Sequence, residues 1–390
     1  MSQDQFLSMI NPLTLLRELT LNNITIKKII RNRFFKEAVQ LPLTLKKLKL
    51  GYIGYDVDPE LFIQTINSHS NLVEFSKNSY INMEFLDPFY KPYPTLLNFE
   101  HTNDIHERSQ SLNNIFEHNP QLTTLKLKLR NWNKELTASI SRHLTNLEEL
   151  SLSGFECNRR IYPYLFLEFT HPTRIKKLRL ENSKYGDNLL NSIFLNCPHL
   201  EDLSLNQFVY YNLPDSESFI NLKPAKIKKL IVECENLKIP VLDAILMNCP
   251  QLNELVINLP FEWKEALKSI YETCSNLQNL EISPPREIYR QIRSTFSREL
   301  RLTEFFYTSP KFKSTLTHLT LNYFTTRGSG ADYYKHFEQL KSIKYPSQKY
   351  HNHLRPDIKP KINMELWPGY KLNIKDSKYH YDVEFEKILN

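Results

Sequence analysis

The stretch that decides the fold is NCPQLNELVINLPFEWKEALKSIYETCSNLQNLEI, from Asn248 to Ile282. It holds two copies of one phrase, L-x-x-L-x-L, with Leu252, Leu255 and Ile257 in the first and Leu277, Leu280 and Ile282 in the second. The fourth and sixth positions of each copy alternate with polar residues, the period of a short strand with one buried face. Between the copies the period changes to that of a helix. Trp263, Ala266, Leu267, Ile270, Tyr271 and Cys274 fall on one amphipathic stripe. A strand followed by a helix, closing on the next strand, is one coil of a solenoid.

Working outward, the phrase recurs along most of the chain. Copies begin at Leu122, Leu147, Ile175, Leu200, Ile227, Leu252 and Leu277, at steps of 25, 28, 25, 27, 25 and 25 residues. Earlier copies start at Leu16 and Leu45, with degenerate ones at Leu72 and Leu96, and later ones at Leu302 (LTEFFY), Leu316 (LTHLTL) and Leu340 (LKSIKY). The step from Leu302 to Leu316 is only 14 residues, too short for a coil, so one of those two copies is not a strand. A second helical stripe, Leu189, Leu190, Ile193, Phe194 and Cys197, has Asp187 as its expected N-cap. A lone coil buries too few side chains to offset the entropy of ordering it, so neighbours must stack. The expected fold is α/β: a solenoid of about 13 coils shaped as an open horseshoe, with a parallel sheet on the concave face and helices on the convex face. Three segments follow: an N-terminal cap over 1–12, repeats over 13–346, and a C-terminal cap or tail over 347–390. Phe6, Leu7, Met9 and Ile10 are available for burial in the first, and Trp367, Leu372 and Ile374 in the last.

NCPHLEDLSL (196–205), NCPQLNELVI (248–257) and TCSNLQNLEI (273–282) resemble the cysteine-containing leucine-rich repeat, C-x-x-L-x-x-L-x-L. That repeat type is best known from F-box/leucine-rich-repeat proteins, substrate receptors of cullin-RING (SCF-type) ubiquitin ligases. The resemblance covers roughly residues 13 to 346 and implies a protein-recognition scaffold in ubiquitin-dependent turnover. Cys197, Cys249 and Cys274 stand three residues before the first leucine, whereas Cys157 and Cys234 do not. The pattern's second cysteine is missing from most copies, and no F-box of the form LPxEILxxIF precedes Leu16. The link to a ligase therefore rests on repeat type alone.

Composition narrows the function. Seven glycines in 390 residues leave few of the turns that phosphate-cradling loops need. A net charge of +7, from 50 Lys+Arg against 43 Asp+Glu, is too dilute for a dedicated nucleic-acid binder. The start, MSQDQFLSMINPL, lacks a signal-peptide pattern and no stretch reaches a membrane span, so the expectation is a monomer in the cytosol or nucleus, away from membranes. Five scattered cysteines without a CxxC pair read as buried thiols. No HExxH, GxSxG or P-loop is present, and the GxG at Gly328 and Gly330 stands alone. His351 and His353, and the pairs His101/His106 and Glu117/His118, make poor metal sites, so the expectation is no enzyme, no cofactor and no metal.

Recognition then falls on the third, fifth and seventh positions of each copy of the phrase, which point away from the core. They include Lys47 and Lys49; Lys126 and Lys128; Lys177 and Arg179; Lys229, Ile231 and Glu233; Glu254 and Val256; Asn279 and Glu281; Glu304 and Phe306; and His318, Thr320 and Asn322. The apolar lane Ile231, Val256 and Phe306, rimmed by Glu233, Glu254, Glu281 and Glu304, suits a protein surface carrying basic residues. The binding set is thus Lys177, Arg179, Lys229, Ile231, Glu233, Glu254, Val256, Glu281, Glu304 and Phe306. The alternatives are a repeat module with no ligase link and a salt-sensitive RNA or polyanion binder using the lysine-rich positions. A leucine-rich-repeat regulator of a GTPase would need a presented arginine that the sequence does not single out.

Overall fold

A computed structural model describes residues 3–26, 41–51, 53–55, 69–78, 89–103, 109–129, 132–154, 164–165, 167–182, 184–185, 189–210, 225–234, 237–285, 310–322, 324, 330–349, 362–376 and 380–388. They fall into two compact units, Met1–His199 and Leu200–Asn390.

In the first unit the leucine-spaced phrases form seven parallel strands: β1 (Glu18–Leu21), β2 (Lys47–Leu50), β3 (Glu74–Asn78), β4 (Asn98–Asn103), β5 (Thr124–Leu129), β6 (Glu149–Gly154) and β7 (Lys177–Glu181). Each pairs with the next in register, so Leu19, Leu48, Phe75, Phe99, Leu125, Leu150 and Leu178 form one continuous buried lane. The fourth-position residues thereby shield one another from coil to coil, as stacking requires. The degenerate copies at Leu72 and Leu96 also supply ladder strands, and there the sixth core position is polar. Lys77 and His101 stand between Leu50 and Leu127 in the second lane and are both buried. Nearby, Phe75, Phe89, Phe99 and Tyr93 pack ring against ring.

Helices α2 (Ser109–His118) and α3 (Lys134–His143) lie side by side and bury Leu112, Ile115, Phe116, Leu136 and Ile140. Asn133 caps α3 by accepting from the Leu136 N–H at 2.8 Å. Buried Asn119, just past α2, donates to the carbonyls of Phe89 (2.8 Å) and Ile115 (2.9 Å) and accepts from the Tyr93 N–H (2.9 Å). Thr44 and Thr95 stitch coils together by donating to carbonyls of the preceding coil. The N-terminal helix α1 (Gln3–Ile10) buries Phe6 and Ile10 and leaves Met9 exposed. The last helix of this unit, α4 (Leu189–Asn196), buries Leu189, Leu190, Ile193 and Phe194. The expected cap Asp187 lies outside the described residues.

The second unit repeats the plan with β8 (Asp202–Tyr210), β9 (Lys229–Cys234), β10 (Glu254–Asn258), β11 (Asn279–Ser283), β12 (His318–Leu321) and β13 (Ser342–Lys349), all parallel. Leu203, Leu230, Leu255, Leu280, Leu319 and Ile343 form the corresponding core lane. Helices α5 (Ile239–Met247) and α6 (Trp263–Thr273) pack together, and the face of α6 expected from its spacing, Ala266, Leu267, Ile270 and Tyr271, is the buried one. Each unit is built on the leucine-rich-repeat plan.

Two details go beyond the sequence reading. β11 pairs directly with β12, Asn279 opposite His318 and Leu280 opposite Leu319, so the copy at Leu316 holds the ladder position beside β11. The competing copy at Leu302 lies outside the described residues. After β13 the ladder turns antiparallel: β15 (His380–Lys387) pairs with both β13 and β14 (Tyr370–Asp376). Trp367 stacks on Phe385 with ring centroids 3.7 Å apart, and both are buried, while Leu372 and Ile374 are half-buried.

Candidate functional site

A parallel strand with one face in the core presents its alternate residues on the other, and the register of these ladders orders them into lanes. In the first unit the fifth-position lane runs Thr20, Lys49, Ser76, Glu100, Lys126, Ser151 and Arg179, polar at each strand. Carboxylates meet several of its lysines. Lys47 lies 2.9 Å from Glu18, Lys49 lies 3.1 Å from Glu74, and Lys126 lies 4.0 Å from Glu149. Lys177 and Arg179 are exposed on β7 and have no ion pair among the described residues.

In the second unit the same lane reads Ser204, Ile231, Val256, Glu281, Thr320 and Lys344. Ile231 and Val256 are direct cross-strand partners and both half-buried, so two β-branched side chains form an apolar step on an otherwise polar face. Two residues earlier in each strand, on the same face, Lys229 faces Glu254 and bonds it at 2.6 Å. Next to Val256 in the register stands Glu281, whose carboxylate accepts from the Asn322 amide at 2.6 Å. Asn322 also donates to Ser283 Oγ at 3.1 Å, which fixes the amide's orientation.

Glu254, Val256, Asn279, Glu281, His318, Thr320 and Lys344 line a shallow depression of about 200 Å³ in this face. Lys344 is held by Glu384 of β15 at 3.0 Å. The His318 ring contacts Thr317 Oγ1 at 2.8 Å, and its pKa lies below the ordinary histidine value because of partial burial and the nearby Lys344 and Lys341. The imidazole is therefore neutral near pH 7.

The structure thus brings together Lys229, Ile231, Glu254, Val256 and Glu281 of the expected binding set, with Glu233 farther along β9. Lys177 and Arg179 belong to the first unit, and Glu304 and Phe306 lie outside the described residues. The sequence reading missed Lys344, although the Leu340 copy places it at the fifth position, and missed the depression that His318 and Lys344 complete.

Cys197, Cys249 and Cys274 fill the corners where α4, α5 and α6 turn toward the following strands. All three are buried free thiols, and burial pushes each pKa up to about 12. Among the described residues no group of three His, Cys, Asp or Glu side chains is placed to hold a metal ion, and no helix is long and apolar enough to cross a membrane. His106, Cys157, Gly328, His351 and His353 lie outside the described residues.

No protein-family model matches the chain, and no curated protein does. Among solved structures it is similar to the crystal structure of a TLR13–ssRNA13 complex. The identity is 13%, the TM-score 0.41, and the match covers 86% of this chain and 57% of that one. The chain thus spans little more than half the length of that structure.

Proposed function

We propose that the chain is a non-catalytic recognition scaffold whose protein partner lies on the open face of the Leu200–Asn390 unit. The observation that carries this reading is the Ile231–Val256 step. Solubility alone favours polar side chains at both positions, and the equivalent lane of the first unit has them. A small apolar centre rimmed by ion pairs is how protein interfaces combine desolvation with orientation. The polyanion reading is the weaker one, because Lys47, Lys49, Lys126 and Lys229 already have carboxylate neighbours that a phosphate would have to displace. Five scattered cysteines without a CxxC pair are in keeping with a reducing compartment, which supports the cytoplasm or nucleus as the proposed location. A role in ubiquitin-dependent turnover rests on the three cysteine-containing copies, and co-purification of the cullin adaptor tests it.

The test of the scaffold reading is affinity purification with mass spectrometry on the wild type and on the double variant Ile231→Asp, Val256→Asp. Loss of specific partners from the variant is the expected result, provided its circular dichroism matches the wild type. The captured complexes should also survive a rise in salt. Partners retained by the variant, or lost as a steep power of salt concentration as counterion release demands, would overturn the reading.

A further inference from the structure

We propose that the depression beside Val256 is an anchor site for one basic side chain, arginine or lysine, on an extended segment of the partner, with Glu281 as its counter-charge. The segment's neighbouring aliphatic residues would cover Ile231 and Val256. This inference rests on the recognition reading above and adds what the partner must carry.

The charges around the depression close pairwise with one exception. Glu254 has Lys229 at 2.6 Å, and Lys344 has Glu384 at 3.0 Å. Glu281 has the neutral amide of Asn322, with neutral Val256 and Thr320 as its register partners. It is half-buried and has no cation among the described residues. A neutral partner covering this carboxylate would strip water from a charge and return nothing, whereas a cation offsets the desolvation and adds a charge-assisted hydrogen bond. Asn322 occupies Oε1, so Oε2 is left for the incoming group. The group that could compete locally, His318, is neutral near pH 7 because partial burial and the lysines at 344 and 341 hold its pKa down. The apolar step begins at the same wall, since Val256 faces Glu281 across one pair of strands and Ile231 across the other. Anchor and apolar step are therefore one strand spacing apart, about 5 Å, a reach that neighbouring residues of an extended peptide span.

The test selects a phage-displayed library of random twelve-residue peptides on the immobilised full chain, then measures synthetic versions of the enriched peptides by calorimetry. The expected outcome is a shared arginine or lysine close to aliphatic residues. Replacing that residue by a neutral isostere, citrulline for arginine or norleucine for lysine, should weaken binding to the wild type roughly tenfold and binding to Glu281→Gln hardly at all. If Glu281→Gln proves misfolded, the peptide substitution on the wild type reads the same contact. Peptides that lose binding with Ile231→Asp, Val256→Asp but tolerate the neutral isostere would overturn the anchor and leave the recognition reading standing. Failure to enrich any peptide that depends on this face would overturn both.

Discussion

Cys249 and Cys274 occupy the same corner of neighbouring coils, and their burial decides their chemistry. A thiol with a pKa of about 12 is ionised to about one part in ten thousand near pH 8, and the thiolate is the reactive form. Iodoacetamide at pH 8 should therefore leave Cys197, Cys249 and Cys274 unmodified in the native protein and label all three in urea, as peptide mass mapping would show. Rapid native labelling would mean the helix-to-strand corners open readily. His69 gives the first unit a pH dependence. It is buried, its Nε2–H donates to the Leu45 carbonyl at 2.9 Å, and burial, aided by Lys46, lowers its pKa from 6.5. The unfolded chain takes up a proton near 6.5 while the folded chain resists. Stability present above that pH is therefore lost as pH falls from 6.5 through the lowered folded value. The urea midpoint should drop between pH 7.5 and 5.5, and His69→Gln should shrink the drop. Some should remain, because His318 in the second unit is shifted in the same direction. An equal drop in His69→Gln would remove His69 from the account.

Elements were legible wherever one residue type reports its own burial. The fourth and sixth positions of L-x-x-L-x-L are core positions in β5, β6, β7 and β10, and the apolar stripe of α6 is its buried face. Legibility failed where chemistry and position disagree. Lys77 and His101 sit at core positions that the repeat reserves for leucine, so their strands read as degenerate although the ladder accepts them in register. LTEFFY at Leu302 fits the phrase as well as LTHLTL at Leu316, and only the β11–β12 pairing identifies the neighbour. Ile231 and Val256 could be picked out as apolar residues at outward positions. The partner of Lys344 could not, because Glu384 reaches it from an antiparallel hairpin. That hairpin closes the second unit's ladder over Tyr345, whose ring meets Phe385 edge-on and whose hydroxyl meets Tyr334 at 2.7 Å. Phe385→Ala removes a fully buried ring from this stack and should cost about 3–5 kcal/mol. Hydrogen exchange should show protection lost along β13 and β14; unchanged protection would mean the hairpin does not hold that end of the ladder.

Among the described residues both the apolar lanes and ion pairs join coil to coil, and their magnitudes separate them. Side chains in the fourth-position lanes are nearly all inaccessible to water: Leu125, Leu150 and Leu178 in one unit, and Leu203, Leu230 and Leu255 in the other, have 0% exposure. Each such side chain contributes roughly 1.5–3 kcal/mol relative to an exposed one. The ion pairs between coils, such as Glu148 with Lys176 at 2.8 Å and Glu201 with Lys228 at 3.1 Å, sit on side chains about half accessible to solvent. Pairs of that kind are typically worth about 0–1 kcal/mol and are screened within about 3 Å at 1 M salt. The excess of +7 over 390 residues is likewise too dilute for its self-repulsion to matter much once screened. Raising sodium chloride from 0.05 to 1 M should consequently move the melting temperature by no more than a few degrees. Leu255→Ala, which empties one place in the core lane, should cost about 2–5 kcal/mol at either salt concentration. A melting temperature that falls steeply with salt would assign the adhesion between coils to the ion pairs, and the leucine lanes would then be filler rather than the source of the stacking energy.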